Sequence, residues 1–368
     1  KFLSGALMVG VAMAAGAFGS AVATSGAIAA ELDLSGERVV WIVPSREGGG
    51  SDNFTRAIAP HLSEHLPGKP KIVIRNIPGN GTIPGTNQFL EQAKGDGLMI
   101  ITNSTSALMN QVLKTDAVRY DLTKFNTMMA IPQGTFAYAR PDIGVKGPDD
   151  IKKLVTSGEK YRFGGFGPTS AELRLLVSWE LLGIGIKPLW GLSRGKVRQA
   201  FMRGETQLNY DTASSWYKKV LPLVKQDEAV PLFTFGIQTQ DGKFIRDPVA
   251  PNMPHYNEVY EKLNGKKLAG PAKGAWEAVF NIGVMASKSI ALPPSATDEV
   301  KAGYMKAIKS MLADPKFKEA KEKRIGPYPV AVGAPANAVI DRAINMSPDA
   351  RNWLKEFLKK NYDVELKS

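Results

Sequence analysis

Hydrophobic positions along the chain alternate between strand-like and helix-like spacing in an ordered series. Residues 38–43 (RVVWIV) form a short, β-branched apolar run closed by Pro44, the pattern of a parallel strand buried on both faces. After a glycine-rich stretch, Phe54, Ile58, Leu62 and Leu66 recur every fourth residue, which draws one buried stripe along a helix. Pro60 inside that stripe predicts a kink or a restart. A second strand is expected at 71–75 (KIVIR), a helix at 86–93 and a third strand at 98–102 (LMIIT). A βαβαβ opening predicts a parallel, doubly wound sheet.

The alternation then repeats. Strands are expected at 136–139 and 161–163, with helices at 149–157 and 171–182, and further strands at 207–210, 231–235 and 278–285 (AVFNIGVM). Residues 238–273 are rich in Pro, Gly, Asn and Lys and read as long loops with one short helix at 256–263. Helices at 298–312 and 348–360 close the chain. A length of 368 residues exceeds one comfortable core. The expected fold class is therefore α/β with two lobes, each a mostly parallel doubly wound sheet, and a ligand cleft between them. Lobe I is expected to combine 31–133 with 276–368, and lobe II to span 134–275.

The first thirty residues carry one charge, Lys1, ahead of a small and apolar run that ends in Ala27-Ile28-Ala29-Ala30. A basic start, an apolar middle and a small-residue finish predict a secretory signal peptide over 1–30, cleaved near Ala29. The chain has no cysteine, which excludes disulfides, thiolate metal sites, cysteine nucleophiles and a lipid-attachment cysteine. An exported, periplasmic, freely diffusing monomer is the expectation. The net charge is +12, a balance that draws anions. Lys and Arg are interleaved with acids along the chain, and the dense cluster at 316–324 reads as a solvated helix face, so the expected partner is a small organic anion and not nucleic acid.

Several loops carry candidate chemistry. Ser45-Arg46-Glu47-Gly48-Gly49-Gly50-Ser51-Asp52 follows the first strand, at the carboxyl end where α/β ligands bind. Its glycines let backbone approach a ligand, the helix start offers free N–H groups to an anion, and the Arg46 guanidinium matches a carboxylate. Ser51 or Asp52 is placed to cap the helix. The second lobe repeats the device with Gly164-Gly165-Phe166-Gly167-Pro168-Thr169-Ser170, where Thr169 and Glu172 have capping-box spacing. Hydroxyl and amide donors follow two other strands, at Asn103-Ser104-Thr105-Ser106 and at Asp211-Thr212-Ala213-Ser214-Ser215. Each of these pairs a ligand role with a purely local capping role. Phe166, Trp190 and Trp216 are aromatic enough to stack on a ligand, with core packing as the alternative.

Two motifs are set aside. Gly79-Asn80-Gly81-Thr82-Ile83-Pro84-Gly85 departs in its last spacing from a dinucleotide fingerprint and follows the second strand. His61-Leu62-Ser63-Glu64-His65 matches a zinc-protease pattern, but a solvated helix face explains it, and only His255 remains elsewhere. No cofactor or metal is expected.

The ordered set of motifs resembles the periplasmic solute-binding proteins of tripartite tricarboxylate transporters, the Bug or TctC type. The likeness rests on Pro44-x-x-x-Gly-Gly-Gly-Ser-Asp after a strand, Asn76-Ile77-Pro78-Gly79-Asn80-Gly81 followed by Gly85, Asp96-Gly97 before a strand, Thr102-Asn103-Ser104-Thr105, the segment 163–170, and Gly204-Glu205-Thr206-Gln207-Leu208. The resemblance implies the two-lobed periplasmic binding protein fold, in which the loop after the first strand and the glycine loop of the second lobe grip a carboxylate. It nominates Ser45 to Asp52, together with Gly165, Phe166, Gly167, Thr169 and Ser170. Ser45-Arg46-Glu47 departs from the family's small, apolar residues before the glycines, which puts the ligand type in question.

The resulting expectation is a non-catalytic receptor that captures a small organic carboxylate (a di- or tricarboxylate or an aromatic one) and delivers it to the subunits of a tripartite membrane transporter. Its ligand-binding residues would be Ser45, Arg46, Gly48, Gly49, Gly50, Ser51, Asp52, Asn103, Ser104, Gly165, Phe166, Gly167, Thr169, Ser170, Asp211 and Thr212. The alternatives are an exported hydrolase or lyase using Asp52 or Asp211 as acid or base, and a zinc protein using His61 and His65.

Overall fold

The computed structural model describes residues 31–239 and 241–366. The expected signal peptide lies outside the described residues. Strand β1 (Arg38–Val43) is buried on both faces, as its unbroken apolar run requires. Its Trp41 meets the need of a buried indole N–H by donating to Thr102 Oγ1 at 2.8 Å. β1 pairs in parallel with β2 (Lys71–Asn76) and with β3 (Met99–Ser104). Helix α1 (Gly50–His65) connects the first two strands and buries Phe54, Ile58 and Leu62. It runs through Pro60 as one helix, without the restart that was one of the two expected outcomes. Packing of the stripe on both sides of the proline outweighs the one backbone bond that its missing N–H removes.

After α2 (Ile83–Gln92) and α3 (Thr105–Val112), β4 (Asn126–Ile131) completes the first pass. Pro132-Gln133-Gly134 then carries the chain into a second sheet, which begins with β5 (Thr135–Ala139). This sheet also holds β6 (Lys160–Gly164), β7 (Gly185–Leu189), β8 (Leu208–Thr212) and β9 (Val230–Thr234), in the order β7-β6-β8-β5-β9. Its helices are α4 (Ile151–Thr156), α5 (Leu173–Leu182) and α6 (Arg194–Met202). The return path includes the small antiparallel pair β10 (Ile237–Gln238) and β11 (Phe244–Ile245), and it ends in β12 (Lys288–Leu292). With β13 (Ala331–Val332), the first sheet is ordered β13-β4-β12-β3-β1-β2. Pairing is parallel at β2-β1-β3 and β7-β6-β8, and antiparallel around β12, β4 and β5, where the chain crosses between sheets.

The strand expected at 278–285 is not formed. Residues Gly270–Phe280 are helical, Asn281–Met285 form a wide helical turn, and the strand follows as β12. Short apolar runs fit a buried helix as well as a strand. Here Trp276 decides, stacking on Tyr256 at 4.6 Å and on Phe280 one turn later at 5.4 Å. Pairs of this kind contribute about 0.5–1.5 kcal/mol each beyond their area. The first crossover is anchored as tightly. A Cβ at Gly134 would lie 1.8 Å from Asp247 Oδ2, and the Tyr328 hydroxyl donates to Asp247 Oδ1 at 2.8 Å.

Candidate functional site

Carboxyl ends of strands from both sheets converge on a cleft of about 70 Å³. From the first sheet come Ser45, Arg46, Glu47, Gly49, Gly50 and Ser51 after β1. At Gly50 the approach of the second half leaves no room for a side chain, since a Cβ there would lie 2.5 Å from Thr212 Oγ1. Gly49 is the N-cap of α1, with no side-chain cap bond. The expected caps therefore do other work. Ser51 lines the cleft, while Asp52 ties the loop together by accepting from Gly48 N at 2.8 Å, Arg56 Nε at 3.0 Å and Asn76 Nδ2 at 3.0 Å. Gly48 turns the chain at a φ of 73° and is not among the residues that line the cleft.

Residues 103–106, expected as a loop, are the end of β3 running directly into α3. Ser104, Thr105 and Ser106 line the cleft, and Asn103 does not. In the second half Phe166, Asp211 and Thr212 line it. Gly167, Thr169 and Ser170 instead border a neighbouring cavity of about 360 Å³, shared with Arg46. Gly165 lies behind Glu172, where a Cβ would come within 2.2 Å of the Glu172 Cγ. The expected Thr169–Glu172 capping box is absent: Glu172 is itself the residue before α5, and its carboxylate turns inward to accept from the Tyr210 hydroxyl at 3.1 Å. Trp216 packs against Phe136 at 4.6 Å and Trp190 against Tyr362 at 6.0 Å.

Sequence reasoning missed the charged lining: Glu172, Arg174, Arg194 and Lys288, with Tyr210 and Ser193. Arg174 Nη1 donates to the Gly283 carbonyl at 2.6 Å and to Thr105 Oγ1 at 3.1 Å. Arg194 lies 3.9 Å from the centre of the Tyr210 ring, faces Glu172 Oε1 at 3.5 Å and donates to Asn209 Oδ1 and the Tyr210 carbonyl. Both arginines keep a buried Nε without a partner, as do the hydroxyls of Ser45, Thr82, Ser104 and Thr212. Among the described residues Lys288 Nζ reaches only the Ser287 carbonyl, at 3.0 Å, and the Ser287 hydroxyl, at 3.2 Å. Burial, helped by the Arg174 charge, pulls the Lys288 ammonium down to about 7. Burial pushes the Glu172 carboxyl up, against the pull of Arg194. Asp211 is paired with Arg198 and accepts from the Tyr138 hydroxyl at 2.9 Å. Cations thus outnumber carboxylates in a space with unpartnered donors, an arrangement suited to a small anion.

The two halves touch across the cleft. Arg198 Nη2 donates to the Gly48 carbonyl at 2.7 Å, Ser214 Oγ to the Gly50 carbonyl at 3.2 Å, and Asn53 Nδ2 to Ser215 Oγ at 3.1 Å. The histidines of the set-aside zinc pattern serve helix packing. His65 bonds Ser310 Oγ and Asp314 Oδ2, and the His61 ring meets the Phe317 ring at 5.3 Å. Among the described residues no helix is long and apolar enough to cross a membrane.

No protein-family model and no curated protein matches the chain in sequence. Solved structures do match it. The periplasmic binding protein BugD superposes with a TM-score of 0.67 at 19% identity, over 90% of this chain and 99% of that one. MatC from Rhodopseudomonas palustris, solved with bound malate, gives 0.64 at 17%, over 87% and 99%. A further R. palustris protein, solved with adipate, gives 0.66 at 18%, over 88% and 97%. With the two sheets and the cleft between them, the chain has the two-lobed fold of the Bug- and TctC-type periplasmic binding proteins.

Proposed function

We propose that the protein is a solute-binding receptor that captures a small organic carboxylate between its two lobes and hands it, unchanged, to a membrane transporter of the tripartite tricarboxylate type. In this reading it is exported to the periplasm and works there as a monomer. The observation that carries the reading is the cleft lining: Arg174 and Lys288, both buried, and Arg194, partly buried, with two guanidinium Nε–H groups and four hydroxyls unpartnered. The malate and adipate bound by structural neighbours support the same ligand class. Asp52 and Asp211 spend both oxygens on protein partners, which argues against the hydrolase or lyase alternative. Micromolar capture requires about −8 kcal/mol, within reach of a few charge-assisted hydrogen bonds.

The test is calorimetry and thermal shift of the purified protein with malate, succinate, adipate and citrate. A true ligand at about one hundred times its Kd stabilises by ~2.7 kcal/mol and is recovered intact afterwards. A panel in which no acid binds, or in which the bound acid is consumed, overturns the proposal.

A further inference from the structure

Glu172 is out of place in a receptor that recognises carboxylate alone. It lines the cleft, is fully buried, and would repel a ligand carboxylate brought against it. Its Oε1 is occupied, accepting from Tyr210 and facing Arg194, while its Oε2 has no partner. The position is built for this side chain, because Gly165 clears the space that its Cγ and carboxyl fill. Two residues later, in the first turn of α5, Arg174 reaches Thr105 and Gly283 and brings positive charge beside Lys288. The cleft therefore offers an acceptor and cations side by side, with Arg194 Nη1 3.5 Å from the Glu172 carboxylate.

We propose that the cleft selects, among small carboxylates, those that carry a hydrogen-bond donor on a carbon next to the carboxylate, a hydroxyl or an ammonium, and that Glu172 reads that donor through Oε2. The inference rests on the carboxylate-receptor reading and narrows it. The closeness of the Glu172 carboxylate to the Arg194 guanidinium sets the short distance between donor and anion. A site with a buried acceptor discriminates strongly against an analogue that leaves it unpaired. Glu172 is thus a specificity-determining residue and not a structural acid.

The experiment is titration calorimetry of the full protein with three matched series: propionate, lactate and alanine; succinate, malate and aspartate; glutarate, 2-hydroxyglutarate and glutamate. In at least one series the hydroxy or amino acid is expected to bind at least about tenfold more tightly than its parent. Comparison of the hydroxy and amino members identifies which donor is read. In Glu172→Gln the preference should collapse to within about threefold, with the parent acid keeping or gaining affinity as the buried charge is removed. Loss of all acids in parallel, as a packing defect gives, overturns the specificity role. Parent acids that bind wild type as tightly as their substituted partners overturn this inference and leave the carboxylate receptor standing. A panel in which nothing binds overturns both.

Discussion

Arg198 and Gly48 are joined across the cleft: the guanidinium of Arg198, held on one side by Asp211, donates from its other arm to the Gly48 carbonyl at 2.7 Å. The contact couples a side chain of α6 to the turn that starts α1, so closure of the two halves is built into the ligand loops. Arg198→Ala leaves Asp211 buried without its cation, a change of the kind that costs about 2–5 kcal/mol. Ligand release should accelerate by about ten- to a hundredfold in stopped-flow measurements, and the liganded protein should scatter as a more open particle.

Gly50→Ala is expected to hold the halves apart, since its Cβ would meet Thr212 Oγ1 at 2.5 Å while Ser215 Oγ and Thr212 Cβ both lie at 3.8 Å. Affinity should fall by about tenfold or more, roughly 1.4 kcal/mol, with little change in the melting temperature. Thr212→Ala in the same chain removes the clashing oxygen and should restore closure of the two halves, read by scattering of the liganded protein, while the lost hydroxyl keeps affinity below wild type.

Lys288 titrates at about 7 in the folded protein against an ordinary 10.5. Between these values the unfolded chain holds the proton and the folded chain does not, so stability of the unliganded protein rises with pH from about 7 to 10.5. Below 7 both states are charged and the burial cost is fully present. Lys288→Met should therefore raise the unfolding free energy most at pH 6, by an amount on the order of a few kcal/mol, and least above pH 10, as denaturant titrations at the two pH values would show. The same variant should lose anion affinity at pH 6.

Asp247, buried beside Gly134 and Tyr328, has its carboxyl raised by burial from 3.8 to about 6. The folded state holds the proton more strongly, so this group destabilises the fold as pH rises from about 4 to 6, and the cost is complete above 6. Asp247→Asn should stabilise the protein at pH 7.5 and lose that advantage below pH 4, in denaturant titrations at the two pH values.

Most elements were legible because their signals are local. The run at 38–43 and the stripe of Phe54, Ile58 and Leu62 dictate β1 and α1 wherever the rest of the chain lies. The loops after β1 and β6 announced themselves by glycine. The charged lining did not, because Glu172, Arg174, Arg194 and Lys288 sit in sequence among ordinary helix and strand residues, and only the packing of α5, α6 and β12 brings them together. Glu172 looked like half of a capping box because spacing alone does not say which way a carboxylate turns. The segment 278–285 failed for a related reason, its aromatic partner Tyr256 being remote in sequence. At Gly165 the expected backbone contact with ligand is joined by a second role that glycine alone does not announce, since its missing side chain makes room for Glu172.

The place of β12 governs when the molecule can assemble. This strand lies between β3 and β4, in the middle of the first sheet, yet it is made only after the whole second sheet. Until residue 292 is available, β3 and β4 have no strand to join them, and the sheet that carries α1 has an open seam. Pairings this distant in sequence form slowly, because the connecting chain must be ordered first. The first sheet thus closes last, after the second sheet is already complete in the chain, so the seam between β3 and β4 is the latest part of the molecule to be sealed.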